Sequence, residues 1–196
     1  MDFVQSNDYI GGTICKAKGT ANIFNPLLQT KAQSTKALIM MITAYDKLDK
    51  LMDLIVEKYN IHEENTGIVA VLPVNQASGL PNIEIESPTN VLMKGQMLTA
   101  IVPAGQSEEF IQKTKKLGAT GGTILHSRFC NLVEKTGLFS FCVDTEEEIL
   151  MTIVNEDIAE SIQKITLNLV FKNQIENPHA FAIPILQANG IRINNE

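Results

Sequence analysis

The feature that most constrains the fold of this chain is an internal repeat, because two matching segments are expected to form the same elements. With an offset of 111 residues, residues 38–80 match residues 149–191 without insertion or deletion. The identical pairs are Met40 and Met151, Ile42 and Ile153, Asp46 and Asp157, Pro73 and Pro184, Gln76 and Gln187, Ala77 and Ala188, and Gly79 and Gly190. With an offset of 110 residues, 11–14 match 121–124, and both read Gly-Gly-Thr-Ile. The sequence therefore predicts that one structural unit occurs twice.

Hydrophobic periodicity predicts the same alternation of strands and helices in both copies. The short apolar runs at 38–43 and 149–154 are typical of buried strands. Apolar residues then recur at helical spacing, at Leu48, Leu51, Met52, Ile55 and Tyr59 and at Ile158, Ile162, Ile165 and Leu169. Closing strands are predicted at 68–74 and 180–186.

The second copy carries additional elements in front of its glycine pair. Residues 97–103 form an apolar, strand-like run, and a helix is predicted to begin at Ser107 and to end before Gly118. The order βαββαβ is that of a ferredoxin-like α+β unit. Only ten residues precede Gly11, so the first unit lacks its first strand and helix. We therefore predict a truncated unit at 1–81, a linker at 82–96 and a complete unit at 97–196.

The shortened first unit raises a structural problem, since the first strand of a ferredoxin-like sheet is central and its absence leaves two unpaired edges. Three fillers are compatible with the sequence. They are the alternating segment 82–86, a strand from another subunit, and sequence upstream of a misplaced start. The second of these predicts a domain swap or a tight oligomer.

Composition excludes several classes of protein. A net charge of -6 without a basic run, and the absence of Trp, argue against a nucleic-acid partner. The longest apolar runs are shorter than the roughly 20 residues of a membrane span, and the N-terminus has no secretory pattern. We expect a cytoplasmic protein without membrane insertion. The three cysteines form no CxxC pair and are interpreted as small apolar residues in strands.

The sequence contains no pattern that predicts catalysis. GxSxG, P-loop and GxGxxG motifs are absent. The histidines His62, His126 and His179 are scattered, so no metal site is expected. The glutamate run at 146–148 is interpreted as a solvated turn before a strand. We therefore expect that the chain is not an enzyme.

Positively charged pairs and glycine pairs are the candidate ligand-binding features. Lys16 and Lys18 of the first unit fall on His126 and Arg128 of the second, and residues two apart on a strand share a face. Such pairs can meet an anionic ligand, or they can be solvated residues that protect a strand edge. The glycine pairs are Gly11 with Gly12 and Gly121 with Gly122. They allow a ligand to approach the backbone, or they serve turns.

At three stretches the chain resembles the PII family of signalling proteins, including its short-loop, PII-like members. Residues 118–124 resemble the turn into the family's second strand, 148–157 its third strand and following turn, and 67–73 its glycine-bearing loop and closing strand. The resemblance implies a trimeric homo-oligomer that binds ATP, ADP or another small effector in clefts between subunits. It also implies signalling to a partner, such as a transporter or enzyme, through the loop between the second and third strands.

The same resemblance implies roles for individual residues. Thr13 and Thr123 match a threonine that contacts adenine in the family. Gly19 matches a glycine after the second strand, and Gly67 matches a glycine of the phosphate loop. Arg192 falls near a basic position that reaches phosphate. In the second unit, Phe129 replaces the glycine after the second strand, and 176–179 contain no glycine. The glycines kept by the first unit favour an effector-binding regulator, and the losses in the second favour an assembly module without a ligand.

Overall fold

The computed structural model describes residues 12–25, 30–63, 66–77, 95–129, 145–172 and 179–191, which form an α+β fold with a mainly antiparallel sheet and three helices. The strands are β1 (Thr13–Asn25), β2 (Thr30–Met40), β3 (Val69–Val71), β4 (Gly95–Pro103), β5 (Thr123–Phe129), β6 (Thr145–Val154), β7 (His179–Ile185) and β8 (Gln187–Asn189). The helices are α1 (Leu48–Lys58), α2 (Ser107–Lys115) and α3 (Glu156–Lys172). None of the helices in the described ranges is both long and apolar enough to cross a bilayer.

The second half of the chain contributes four strands in the spatial order β5-β6-β4-β7, with every neighbouring pair antiparallel. Along the chain these elements follow the order β4-α2-β5-β6-α3-β7. Strand β4 is central, because Met97 lies opposite Ile153 of β6 and Ile183 of β7. This arrangement is compatible with a ferredoxin-like fold. Strand β4 begins at Gly95, two residues before its predicted start.

The core lies between this sheet and helices α2 and α3. One cluster of buried residues joins α2 to β4, β5 and β6; it comprises Ala100, Val102, Phe110, Ile111, Ile124 and Leu150. A second cluster includes α3 and comprises Leu98, Ala119, Val154, Ala159 and Ile162. Fully burying one such large apolar side chain contributes about 1.5–3 kcal/mol. Packing of the helices against alternate strand residues therefore stabilises this half of the structure.

The ends of the two core helices follow local sequence rules. Helix α3 begins directly after Asn155, with Glu156 and Asp157 in the first turn, where the helix dipole favours negative charge. Helix α2 ends at Lys115, and Gly118 has a φ of 102°, in the left-handed region that favours glycine. The predicted start of α2 at Ser107 and its end before Gly118 are confirmed.

The first half of the chain adds a hairpin to the edge of this sheet. Strands β1 and β2 pair antiparallel, with an irregularity between Gly19 and Ile23. Strand β1 also pairs with β5, through Lys18 opposite Ile124 and Gly19 opposite Thr123. The result is one six-stranded sheet in the order β2-β1-β5-β6-β4-β7.

Strand β3 lies outside the six-stranded sheet and pairs antiparallel with β8 instead. It covers only Val69–Val71, which is shorter than the strand predicted at 68–74. Its partner is a three-residue strand bounded by Leu186 and by Gly190, and Gly190 has a φ of 80° that turns the chain away. The short partner therefore limits the length of β3.

The hydrogen bonds of Thr20 fix the joint between hairpin and sheet. The Thr20 backbone N–H and Oγ1 donate to the Gly122 carbonyl at 2.9 and 3.0 Å. Thr20 Oγ1 also accepts from the Gly122 N–H at 2.7 Å. Lys115 Nζ donates to the Thr20 carbonyl at 2.7 Å. These bonds hold β1 against the start of β5 within the irregular stretch of β1.

Replacing Thr20→Val tests this joint, because valine keeps the shape but leaves the Gly122 N–H without its side-chain acceptor. We expect the free energy of unfolding, measured by urea denaturation, to fall by about 1–3 kcal/mol. The matched control is Thr66→Val, since Thr66 donates one exposed bond to the Glu63 carbonyl at 2.9 Å. Equal losses in the two variants would contradict a special role for Thr20.

Candidate functional site

The structure distributes the predicted ligand-binding residues over several places. Gly19, Gly121, Gly122 and Thr123 come together at the joint between β1 and β5. Gly12 and Thr13 lie at the start of β1, Gly67 lies before β3, and His126 and Arg128 lie on β5. Lys16 and Lys18 are exposed on β1, two positions apart as predicted. Gly11 and Arg192 lie outside the described residues.

At the joint, protein atoms occupy the space that the glycines leave. A Cβ on Gly122 would lie 3.0 Å from the Met151 carbonyl oxygen, and one on Gly19 would lie 2.9 Å from Ser34 Oγ. The Gly122 N–H and carbonyl both bond to Thr20. Thr152 Oγ1 donates to the Gly121 carbonyl at 2.6 Å. Close packing of the chain thus explains why a small residue is needed at Gly19 and at Gly122.

The remaining glycines of the first half also face neighbouring chain. A Cβ on Gly12 would lie 2.8 Å from Met41 Cγ. Thr13 is exposed opposite Met40, and it lies six positions before Gly19 on the same strand, a distance of about 20 Å. Gly67 lies against Gly190, because a Cβ on Gly190 would collide with the Gly67 carbonyl oxygen. These positions therefore do not form one site with the joint.

Around His126 and Arg128 the structure forms an open cleft of about 420 Å³. The residues that line it are Ala104, His126, Ser127, Arg128, Glu146 and Glu147. The cleft lies where β5 ends and β6 begins, with Arg128 opposite Glu146 and Ser127 opposite Glu147. Ser127 Oγ is buried and has no hydrogen-bond partner within the described part of the chain. Among the predicted residues, His126 and Arg128 are the ones that line this cleft.

Next to the cleft, the buried carboxylate of Glu148 ties β6 to the start of α2. Its Oε2 accepts hydrogen bonds from the Gly105 N–H at 3.1 Å and from the Ser107 N–H at 3.3 Å. Since Ser107 is the first residue of α2, the carboxylate satisfies a free N–H at the helix start and interacts favourably with the helix dipole. Its Oε1 lies 3.7 Å from His126 Nδ1, which is too long for a hydrogen bond.

The sequence interpretation of 146–148 as a solvated turn is wrong, because all three glutamates belong to β6 and Glu148 is only 7% exposed. A signal for this was present in the sequence. Glu148, Leu150, Thr152 and Val154 alternate along one strand face, and the other three members are buried as well. The carboxylate was assigned to solvent because its hydrogen-bond donors lie more than 40 positions away in sequence.

The charges in the cleft restrict what it can bind. Arg128 and His126 can donate to an anionic group, while Glu146 and Glu147 repel one and accept from donors. Within the residues that the structure describes, no group of three histidine, cysteine, aspartate or glutamate side chains is arranged to hold a metal ion. The ion pair of Lys164 with Glu160, which lowers the pKa of the Glu160 carboxyl, lies on the exposed surface of α3. The residues that line the cleft therefore suit a small ligand of mixed charge.

No protein-family model matches the chain, and comparison with curated proteins finds no match.

Gly190→Ala tests the packing of Gly67 against β8. Gly190 and Gly105 both have a positive φ, of 80° and 87°, so alanine at either costs about 1–2 kcal/mol in backbone strain. Nothing lies within 4 Å of a Cβ on Gly105, whereas one on Gly190 meets the Gly67 carbonyl. We therefore expect urea denaturation to show a larger loss for Gly190→Ala than for the control Gly105→Ala. Equal losses would show that the contact adds nothing.

Glu148→Ala tests the bond between β6 and α2. It leaves the Gly105 and Ser107 N–H groups without their acceptor, so we expect the free energy of unfolding to fall by about 2–3 kcal/mol. Glu146→Ala is the matched control on the same strand face, and its change should stay within about 0.5 kcal/mol because Glu146 is exposed. Chemical denaturation of both variants measures the difference. Similar values for the two would refute the capping role of Glu148.

Proposed function

We propose that this chain is a PII-like regulatory protein that binds a small effector and signals its presence to a partner protein. In this proposal the chain is a homo-oligomer, with a trimer favoured, built from two ferredoxin-like units of which the first lacks its first strand and helix. The strand order β5-β6-β4-β7 and the repeat support it. Because one fold supports many functions, the argument for binding depends on the cleft rather than on the fold.

The position of the cleft is the observation that carries the proposal. His126 and Arg128 come from the end of β5 and Glu146 and Glu147 from the start of β6, so the cleft lies at the two strand ends that flank the connector at 130–144. The structure of the connector lies outside the described residues. An effector in the cleft contacts both strands that lead into the connector. Occupancy of the cleft can therefore change the connector that a partner protein meets.

The cleft also indicates a ligand class. A guanidinium recognises carboxylate or phosphate through paired hydrogen bonds, which assigns Arg128 to the anionic group of the effector. The two glutamates, Glu146 and Glu147, offer hydrogen-bond acceptors beside it. A triphosphate would bring several negative charges next to Glu146 and Glu147. A small effector with one anionic group and several donors suits these residues better than ATP.

A degenerate assembly module without a ligand is the second candidate function. The observation that favours it is the packing of Gly19, Gly67 and Gly122 against protein atoms, which leaves these glycines without a role in binding. In that case His126 and Arg128 are solvated strand residues that discourage pairing with other sheets.

A thermal-shift screen distinguishes the two functions. The wild-type chain is tested with ATP, ADP, AMP, cyclic nucleotides and bicarbonate, because a ligand at 100 times its dissociation constant adds about 2.7 kcal/mol to stability. We expect one of these ligands to raise Tm, and we expect Arg128→Gln to abolish the shift. Lys164→Gln is the matched control, since Lys164 is an exposed cation on α3 away from the cleft.

The outcomes separate the alternatives. A shift that Arg128→Gln removes and Lys164→Gln keeps supports an effector in the cleft. A shift that all variants keep places the ligand elsewhere and contradicts the cleft. No shift with any of the five ligand types favours the assembly module.

A further inference from the structure

The outer edge of β2 is the most unusual surface of the sheet. The six-stranded sheet ends in β2 on one side and in β7 on the other. Strand β2 pairs with β1 along one edge, and in the described part of the chain no strand pairs with its other edge. An unpaired edge offers a row of backbone N–H and carbonyl groups to another strand.

The internal repeat identifies the strand of the second half that corresponds to β2, and this strand has a neighbour on both sides. The offset of 111 residues places Ile39 on Leu150 of β6. Strand β6 lies between β5 and β4, Leu150 faces Ala100 of β4, and only 1% of Leu150 is exposed. In contrast, Ile39 is 49% exposed and Met40 is 51% exposed. In the second half, β4 pairs with the edge of β6 that corresponds to the outer edge of β2. Within the described residues, β2 has no such partner strand.

The composition of this edge leaves it open to pairing. Residues 37–43 read Ala-Leu-Ile-Met-Met-Ile-Thr, without a charge or a proline. Proteins usually protect exposed edges with lysine, proline or inward charges. The opposite edge strand, β7, contains Pro184, which has no N–H to donate. The end of β2 lacks such protection, and Ile42 beyond it is 41% exposed.

We propose that the outer edge of β2 pairs antiparallel with β2 of a second copy of this chain, which joins two six-stranded sheets across a two-fold axis. A two-fold axis places the same strand on both sides and makes the pairing antiparallel, which is the direction that β4 has beside β6. The strand is self-complementary. With Ile39 of one copy opposite Ile39 of the other, Leu38 lies opposite Met40 and Lys36 lies opposite the uncharged Ile42. This contact does not depend on the cleft or on a ligand.

The mass of the full-length chain in solution tests the contact. We expect the wild-type assembly to contain an even number of copies, which is a dimer at twice the 21.6 kDa of one chain or, together with the trimer proposed above, a hexamer built from three such dimers. Ile39→Lys places a charge at the edge and should halve that number while circular dichroism stays unchanged. The matched control is Ile68→Lys, because Ile68 is 56% exposed and lies outside β2. It should leave the mass unchanged.

Hydrogen exchange on the wild-type chain provides a second readout that does not rely on the fold of a variant. Among residues 37–40, the amides that point to the outer edge rather than toward β1 should exchange more slowly as the protein concentration rises, because pairing between copies is concentration-dependent. A monomer, or a trimer that Ile39→Lys leaves intact, would overturn the proposal. So would protection of these amides at every concentration in a monomer, since the edge is then filled from within the same chain.

Discussion

The hydrogen bonds between Thr20 and Gly122 determine how the two halves of this chain form one sheet. They lie where β1 has paired with β5 over only two residues, Lys18 and Gly19. A Cβ at Gly122 would press on the Met151 carbonyl, so glycine allows this strand to lie close to β6 while Thr20 bonds to it from β1. Thr20 itself belongs to the irregular stretch of β1 between Gly19 and Ile23. The hairpin is therefore fixed at one point and free to diverge beyond it.

This joint gives the repeated glycines a structural explanation. Gly121 and Gly122 meet Thr152 and Thr20, whereas Gly12, which matches Gly122 in sequence, meets Met40 and Met41. In both halves of the chain the glycine lies beside one of the two strands that match each other in sequence, β6 in one case and β2 in the other. A close approach between neighbouring strands requires a small residue at that position. The glycine pairs can consequently persist in both copies without any ligand.

The sequence predicts the local elements better than their partners. The strands at 149–154 and 97–103 and both ends of α2 follow from periodicity and from Gly118, because these signals depend on neighbouring residues. The pairing of β1 with β5 and of β3 with β8 joins residues more than 100 positions apart, and no local pattern specifies it. His126 and Arg128 could be selected as a pair from their spacing. Glu148 was missed because its donors lie in another element, although its place in the strand alternation points inward.

Glu148 also affects how strongly the start of α2, next to the cleft, can attract an anion. A helix start commonly attracts anions, but the Glu148 carboxylate already accepts the Gly105 and Ser107 N–H groups and brings its own negative charge to the start of α2. The donors at the start of α2 are therefore already engaged, and Arg128 and His126 are the basic side chains that line the cleft. Both side chains are exposed at the surface, where salt screens electrostatic interactions. The anionic effector proposed above would accordingly have to be recognised through hydrogen bonds in a fixed geometry, which the planar Arg128 guanidinium can donate.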